Sequence, residues 1–206
     1  MTFTQHWFDR HAPTFDKHLG LLKAQDSPPK QVLEIGSFEG KSACWLMDNV
    51  LTGTDDHLFC CDTFTGSPEH DPMRVDYSHI FETFMENVKP YGNRVTVLKG
   101  KSQEMVRELP LNFFDFIYID GSHESSDVLQ DACAAWPTLK VGGIMAFDDY
   151  YWSFWSDRNG DNPRPEGDES FIHEPKMAIN AFVSIFANKI TPLEMKDQVW
   201  IRKEVA

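Results

Sequence analysis

Five short apolar runs recur along the chain, spaced by stretches of helical periodicity. They are Val32–Ile35, Leu58–Cys61, Val95–Leu98, Phe116–Ile119 and Ile144–Phe147. Each is nearly continuous and rich in β-formers, as expected of parallel strands covered on both faces. The spacing between them predicts helices over Lys41–Val50, Tyr77–Val88 and Ser125–Trp136. A shorter helix opens in Gly100–Glu104 and reaches Leu109, with Ser102 placed to cap it. In Ser125–Trp136, Val128, Leu129, Ala132 and Ala135 share one face; Pro137 ends the helix and Gly142-Gly143 makes the turn into the next strand. A last amphipathic helix, Pro175–Asn188, carries Met177, Ile179, Phe182, Ile185 and Phe186. Ile190–Met195 and Gln198–Arg202 then form a closing antiparallel hairpin across Lys196-Asp197. At the front, Thr4–Leu22 is helical with a break near Pro13, and Gln25–Lys30 is a short rigid linker. The alternation from Val32 to Asp149 predicts an α/β fold on a mostly parallel sheet.

The chain of 206 residues fits one domain, with 1–30 as an N-terminal helical segment and 150–175 as a substrate loop. A formal net charge of −13, with no basic patch, argues against a nucleic-acid or anionic-membrane partner. No run is long enough to span a bilayer, and Met1–Arg10 lacks the apolar core of a signal peptide, so the expectation is a cytoplasmic protein. Cys44, Cys60, Cys61 and Cys133 show no C-x-x-C spacing and read as small buried residues, not zinc ligands or disulfides. The aromatics Phe3, Trp7, Phe8 and Phe15 either cover the site or pack in the core, and core packing is preferred.

Chemistry concentrates at the carboxyl ends of the strands, where open α/β sheets bind ligands. The turn Gly36–Gly40 joins a strand to a helix and brings backbone N–H groups toward a ligand. Its spacing is not the G-x-G-x-x-G of nicotinamide-dependent oxidoreductases, which argues against that class. Glu34, near the end of its strand, needs a cationic or donor-rich partner if buried. Asp62 ends the second strand, where an acid accepts hydrogen bonds from ribose hydroxyls; the plainer reading is a turn cap. Gln103, in the loop after the third strand, can bond a purine edge. Asp120 ends one strand and the pair Asp148–Asp149 ends the next, so three carboxylates reach one sheet edge. Carboxylates that close repel one another unless a cation lies among them. Turn capping accounts for one of the pair but not for Asp120. His123 is suited to take a proton near neutrality, against a plain reading as a solvent-facing helix residue. The long polar stretch Tyr150–Pro175, which begins with the aromatics Tyr150, Tyr151, Trp152, Phe154 and Trp155, follows directly; it either stacks on a substrate or forms a flap or oligomer contact.

These residues carry a resemblance. Val32–Ala43, Gly100–Glu104, Ile119–His123, Gly142-Gly143 and Phe147–Tyr150 together resemble class I S-adenosylmethionine-dependent, divalent-cation-dependent O-methyltransferases. They look most like the macrolide and aminocoumarin sugar O-methyltransferases and their glycan-modifying relatives, and more distantly like catechol O-methyltransferase. The resemblance covers about Val32–Tyr150. It implies a Rossmann-like seven-stranded sheet, mostly parallel with the last strand antiparallel, and helices on both faces. It implies Glu34, Gly36, Ser37 and Ser42 near the methionine part of S-adenosyl-L-methionine, Asp62 on the ribose, and Ser102 and Gln103 near adenine. It implies Mg²⁺ or Mn²⁺ on Asp120, Asp148 and Asp149, with Asp120 also beside the cofactor and His123 as the base. Catechol-type enzymes commonly carry Asn where Asp149 stands and Lys where His123 stands. These departures favour a sugar or glycan hydroxyl as acceptor; the alternative is a catechol or phenol, so the expected partner is a small-molecule or glycan acceptor.

Overall fold

In a computed structural model, the protein is described over residues 1–23, 28–66, 77–153, 166–167 and 169–206. Seven strands form one sheet: β1 (Gln31–Ile35), β2 (His57–Asp62), β3 (Val95–Lys99), β4 (Phe114–Ile119), β5 (Leu139–Phe147), β6 (Ile190–Met195) and β7 (Val199–Lys203). Their spatial order is β3-β2-β1-β4-β5-β7-β6. β1 to β5 are mutually parallel, and β7 runs antiparallel to both β5 and β6. The six α-helices among the described residues are α1 (Ala12–Leu19), α2 (Lys41–Asn49), α3 (Ile80–Val88), α4 (Ser102–Met105), α5 (Ser125–Ala135) and α6 (Pro175–Ile185).

Alternation along the strands divides the core in two. One face of the sheet packs Val32, Leu58, Phe116, Tyr118 and Trp200 against α1, α2 and α3. The other packs Leu33, Ile117, Met145 and Ile201 against α5 and α6. Phe15, fully buried on α1, sets its ring edge-on to Phe116, Tyr118 and Trp200 at centroid distances of 5.8, 4.9 and 5.0 Å. Part of the N-terminal segment is therefore core, as its apolar content predicts.

Strand order reverses at β1 and β4, so the crevice beyond their carboxyl ends is the topological switch point. Gly36 follows β1 there. Its φ is +86°, and a Cβ on it would stand 1.8 Å from the Asp120 carbonyl oxygen, so the crossing of these two chain segments admits only glycine.

Some expected boundaries move. Gly142-Gly143 is not a turn before the strand but lies inside β5, which begins at Leu139. Leu139 pairs with Phe114 and Ile144 with Phe116, and the intervening bulge is taken up at Gly142, φ +84°. The Tyr77–Val88 helix starts at Ile80, and the helix expected to reach Leu109 is α-helical only to Met105, then 3₁₀ over Val106–Glu108. Cys133 is exposed, whereas Cys44, Cys60 and Cys61 are buried.

Candidate functional site

Register brings the carboxylates together. Ile35 pairs with Ile119, and Ile119 with Phe147. The ladder runs one residue further: Asp120 donates its N–H to Ile35 O at 2.8 Å, and Asp148 donates to Ile119 O at 3.0 Å. Asp120 and Asp148 therefore occupy equivalent positions on neighbouring strands and share a face. Asp149 would alternate to the opposite face, but its φ of +58° turns the chain. Aspartate tolerates that left-handed conformation better than most residues do, at a cost characteristic of functional sites. The three side chains offer oxygens that all lie within 4.8 Å of one another. Oxygens on opposite sides of an ion bound at about 2.1–2.4 Å are about 4–5 Å apart, so the set fits a hard divalent cation.

Electrostatics point the same way. Burial, then repulsion from Asp148 and Asp149, pushes the Asp120 carboxyl well above its ordinary range. Burial, then Asp149, pushes Asp148 up as well. Burial also acts on Asp149, but the hydrogen bond and charge of His123 hold it below the usual value. His123 Nε2 lies 2.8 Å from Asp149 Oδ2, and Trp152 packs on the imidazole at 4.4 Å between centroids. Beneath the cluster the buried Tyr118 hydroxyl donates to Asp148 Oδ2, and Gln198 Nε2 reaches that hydroxyl at 3.4 Å. His11 stands 3.5 Å from Asp148, yet burial and the adjacent Arg10 lower its pKa to about 4, so it is neutral and offers no compensating charge. The excess negative charge is what a bound cation would offset.

Two cavities meet at Asp120. The smaller, about 300 Å³, is lined by Ile35, Asp62, Phe64, Ser102, Gln103 and Asp131 among others. The larger, about 510 Å³, includes Trp7, His11, Ser37, Ser42, Asp148 and Asp149 in its walls. Gly36, Phe38, Asp120 and Gly121 border both.

Asp62 organises the first turn. Its Oδ2 accepts the N–H groups of Ser37 (2.7 Å) and Phe38 (2.8 Å), and its Oδ1 accepts that of Phe64 (2.6 Å). A carboxylate offers about four acceptor sites, so capacity remains toward the cavity. Glu34 is fully buried beneath the turn and lines neither cavity. Its Oε2 accepts from Ser37 Oγ at 2.6 Å, while Oε1 has no partner among the described residues. Burial pushes its pKa up to about 7, an effect the Ser37, Ser42 and Cys60 side chains only partly offset. Glu34 is thus not brought to either cavity and reaches the wall of the larger one through the Ser37 hydroxyl.

Ser102 does not cap α4. Lys101 holds that position, and Ser102 Oγ instead donates to Asp131 Oδ1 at 2.6 Å, joined by Gln103 Nε2 at 3.0 Å. Asp131, Tyr118, Arg10 and His11 were not among the residues expected at the site. Asp131 carried a signal: it occupies the apolar stripe of α5 with Val128, Ala132 and Ala135. Of the aromatic run after Asp149, Trp152 lines the larger cavity, Tyr150 is buried with its hydroxyl on Asn180 (3.0 Å), and Tyr151 is exposed. Phe154 and Trp155 lie outside the described residues, as do 156–165 of the same loop. Trp7 and Phe38, 5.3 Å apart, both line the larger cavity, so the N-terminal aromatics split between wall and core.

Residues 33–150 match the model of a family described as Methyltransferase domain. An uncharacterised protein of Acanthamoeba polyphaga mimivirus is 28% identical over 128 residues, which cover 60% of this chain and 53% of that protein. The match thus spans about half the length of that curated relative. Among solved structures, the O-methyltransferase NovP superposes with a TM-score of 0.66 at 16% identity, over 95% of this chain and 80% of that one. The MycE methyltransferase of the mycinamycin biosynthetic pathway, in complex with Mg, SAH and mycinamycin VI, gives a TM-score of 0.60 at 17% identity, over 98% of this chain and 51% of that one. At such identities the likeness establishes a common fold.

Proposed function

Because the chain belongs to this family of methyltransferase domains, we propose that it is an S-adenosyl-L-methionine-dependent, Mg²⁺- or Mn²⁺-dependent O-methyltransferase acting on a hydroxyl of a sugar or glycan. The observation that carries the reading is the meeting of Asp120, Asp148 and Asp149 at the wall between two cavities. The smaller cavity is suited to the adenosyl part of the cofactor and the larger to the acceptor.

Methyl transfer to a hydroxyl forms a C–O bond, breaks the S–CH₃ bond and releases the hydroxyl proton. When bound, the cofactor supplies the sulfonium methyl group and the ion lowers the pKa of the acceptor hydroxyl. The three aspartates would hold the ion, and Tyr118 orients Asp148 by its hydrogen bond. His123 takes the proton. Its Nε2 lies 2.8 Å from Asp149 Oδ2, and that carboxylate would stabilise the imidazolium that forms. Glu34, Gly36, Ser37 and Ser42 serve the methionine end, Asp62 the ribose, and the Ser102–Gln103 loop the base.

A sugar or glycan acceptor is favoured by Asp149 and His123, which stand where catechol-type enzymes carry other residues. It is also favoured by the walls of the larger cavity, where the aromatic rings of Trp7 and Trp152 stand among polar Gln5, His6, Arg10 and Lys41. MycE offers a neighbour of this fold solved with Mg and SAH. The test is methyl transfer from labelled cofactor to a panel of saccharides, glycosides and catechols, with and without EDTA. Labelled saccharide that disappears on chelation is expected. Label on catechols alone would move the protein to the phenol-type reading, and undiminished transfer in EDTA would remove the ion.

A further inference from the structure

Asp131 is an acid in an apolar helix stripe, 2% exposed, on the wall of the smaller cavity. Burying an ionisable group there is costly unless it has work to do. Its Oδ1 is saturated by the Ser102 hydroxyl and the Gln103 amide. Both side-chain hydrogen bonds to Asp131 among the described residues fall on Oδ1, and its Oδ2 lies 3.6 Å from where a Cβ on Gly121 would stand, a point also 3.5 Å from Ile35 Cγ2. That oxygen therefore looks onto the floor of the cavity beside an apolar surface that suits a flat ring. Ser102 and Gln103, the side chains expected to read a purine, spend donors on Asp131 instead.

We propose that Asp131 Oδ2 is the acceptor for the exocyclic amino group of a 6-aminopurine, and that Ser102 and Gln103 hold the carboxyl in place for that contact. This rests on the reading of the smaller cavity as the adenosyl site. The arrangement selects a 6-amino over a 6-oxo purine, because a 6-oxo group turns an acceptor toward Oδ2 and leaves both oxygens without a donor. Burial pushes the Asp131 carboxyl up to about 7, so above that pH it is mainly ionised and can only accept.

Isothermal titration calorimetry at pH 8 with S-adenosylhomocysteine and its 6-oxo analogue, S-inosylhomocysteine, tests the proposal without turnover. The wild-type protein is expected to bind the adenosyl compound at least about tenfold more tightly, the scale of one hydrogen bond to a charged group. In Asp131→Asn, the amide oxygen keeps Ser102 and Gln103 and the amide N–H₂ faces the cavity, so the preference should shrink or reverse. Equal affinities in the wild type, or an unchanged ratio in the variant, would overturn the role of Asp131 while leaving the cofactor reading intact. The wild-type ratio decides even if the variant fails to fold. No binding of S-adenosylhomocysteine to the wild type would overturn the cofactor reading and, with it, the proposal.

Discussion

The buried carboxylates tie the stability of the protein to pH and, under the proposed function, to a divalent ion with the opposite sign. Asp148 rises from an ordinary 3.8 to about 7 through burial and then the Asp149 charge. Between those values the folded state binds more protons than the unfolded, so stability falls as pH rises. The share contributed by Asp148 is fully present below 3.8 and is lost as pH climbs through about 7. Glu34 and Asp131, both raised to about 7 by burial, act in the same direction. A cation bound to the folded state reverses the trend, because it binds the ionised carboxylates. At a hundredfold excess over Kd it adds about 2.7 kcal/mol, or about 5–10 °C in Tm for a chain of this size. At pH 6 the ion must displace a proton from Asp148, whose carboxyl burial and Asp149 hold above the ordinary range, so binding weakens and the gain shrinks. Thermal unfolding in EDTA and in Mn²⁺, at pH 6 and pH 8, measures both effects. The metal-free protein should melt lower at pH 8 than at pH 6, and the Mn²⁺ shift should be larger at pH 8. Asp148→Asn should raise the metal-free Tm at pH 8 while abolishing the Mn²⁺ shift. Equal Mn²⁺ shifts at both pH values, or a shift that survives in the variant, would exclude an ion held by Asp148.

Three further outcomes are expected. His123→Ala should lower turnover by about 10²-fold or more at saturating Mn²⁺, with S-adenosylhomocysteine affinity by calorimetry close to wild type; unchanged turnover would take the proton-accepting role from His123. Tyr118→Phe removes the donor to Asp148 and should weaken Mn²⁺ binding about tenfold, followed by titration calorimetry, with cofactor-product binding unaltered. Gly36→Ala forces a Cβ against the Asp120 carbonyl at a positive φ and should cost at least about 3 kcal/mol in urea unfolding, a loss that a midpoint within experimental error of wild type would rule out.

The sheet was legible because its strands are short apolar runs at regular spacing, and strand ends are where acids stand out. That logic found Asp120, Asp148, Asp149 and Asp62 without reference to coordinates. It did not find the left-handed turn that swings Asp149 back to its partners, because alternation alone puts neighbouring residues on opposite faces. The early start of β5 was hidden because Gly142-Gly143 has the composition of a turn, while the structure uses it as a bulge. The position of Ser102 before a short helix predicts a cap. Its true partner, Asp131, is 29 residues away, and local propensity has no access to such a contact. The walls supplied by Trp7, Arg10 and His11 were hidden for the same reason: an amphipathic N-terminal segment looks alike whether it covers a core or a cavity. Asp131 was the readable omission, since an acid within a helix's apolar stripe calls for a partner.

The proposed reaction needs three aspartates from two strand ends to hold a divalent ion beside the cofactor. A crystal of the protein grown with Mn²⁺ and S-adenosylhomocysteine, with anomalous data collected near the manganese edge, tests it directly. One strong anomalous peak is expected about 2.0–2.4 Å from oxygens of Asp120, Asp148 and Asp149, with the cofactor's sulfur facing it across the shared wall of the two cavities. A map with the cofactor product bound and no peak among those carboxylates would contradict it.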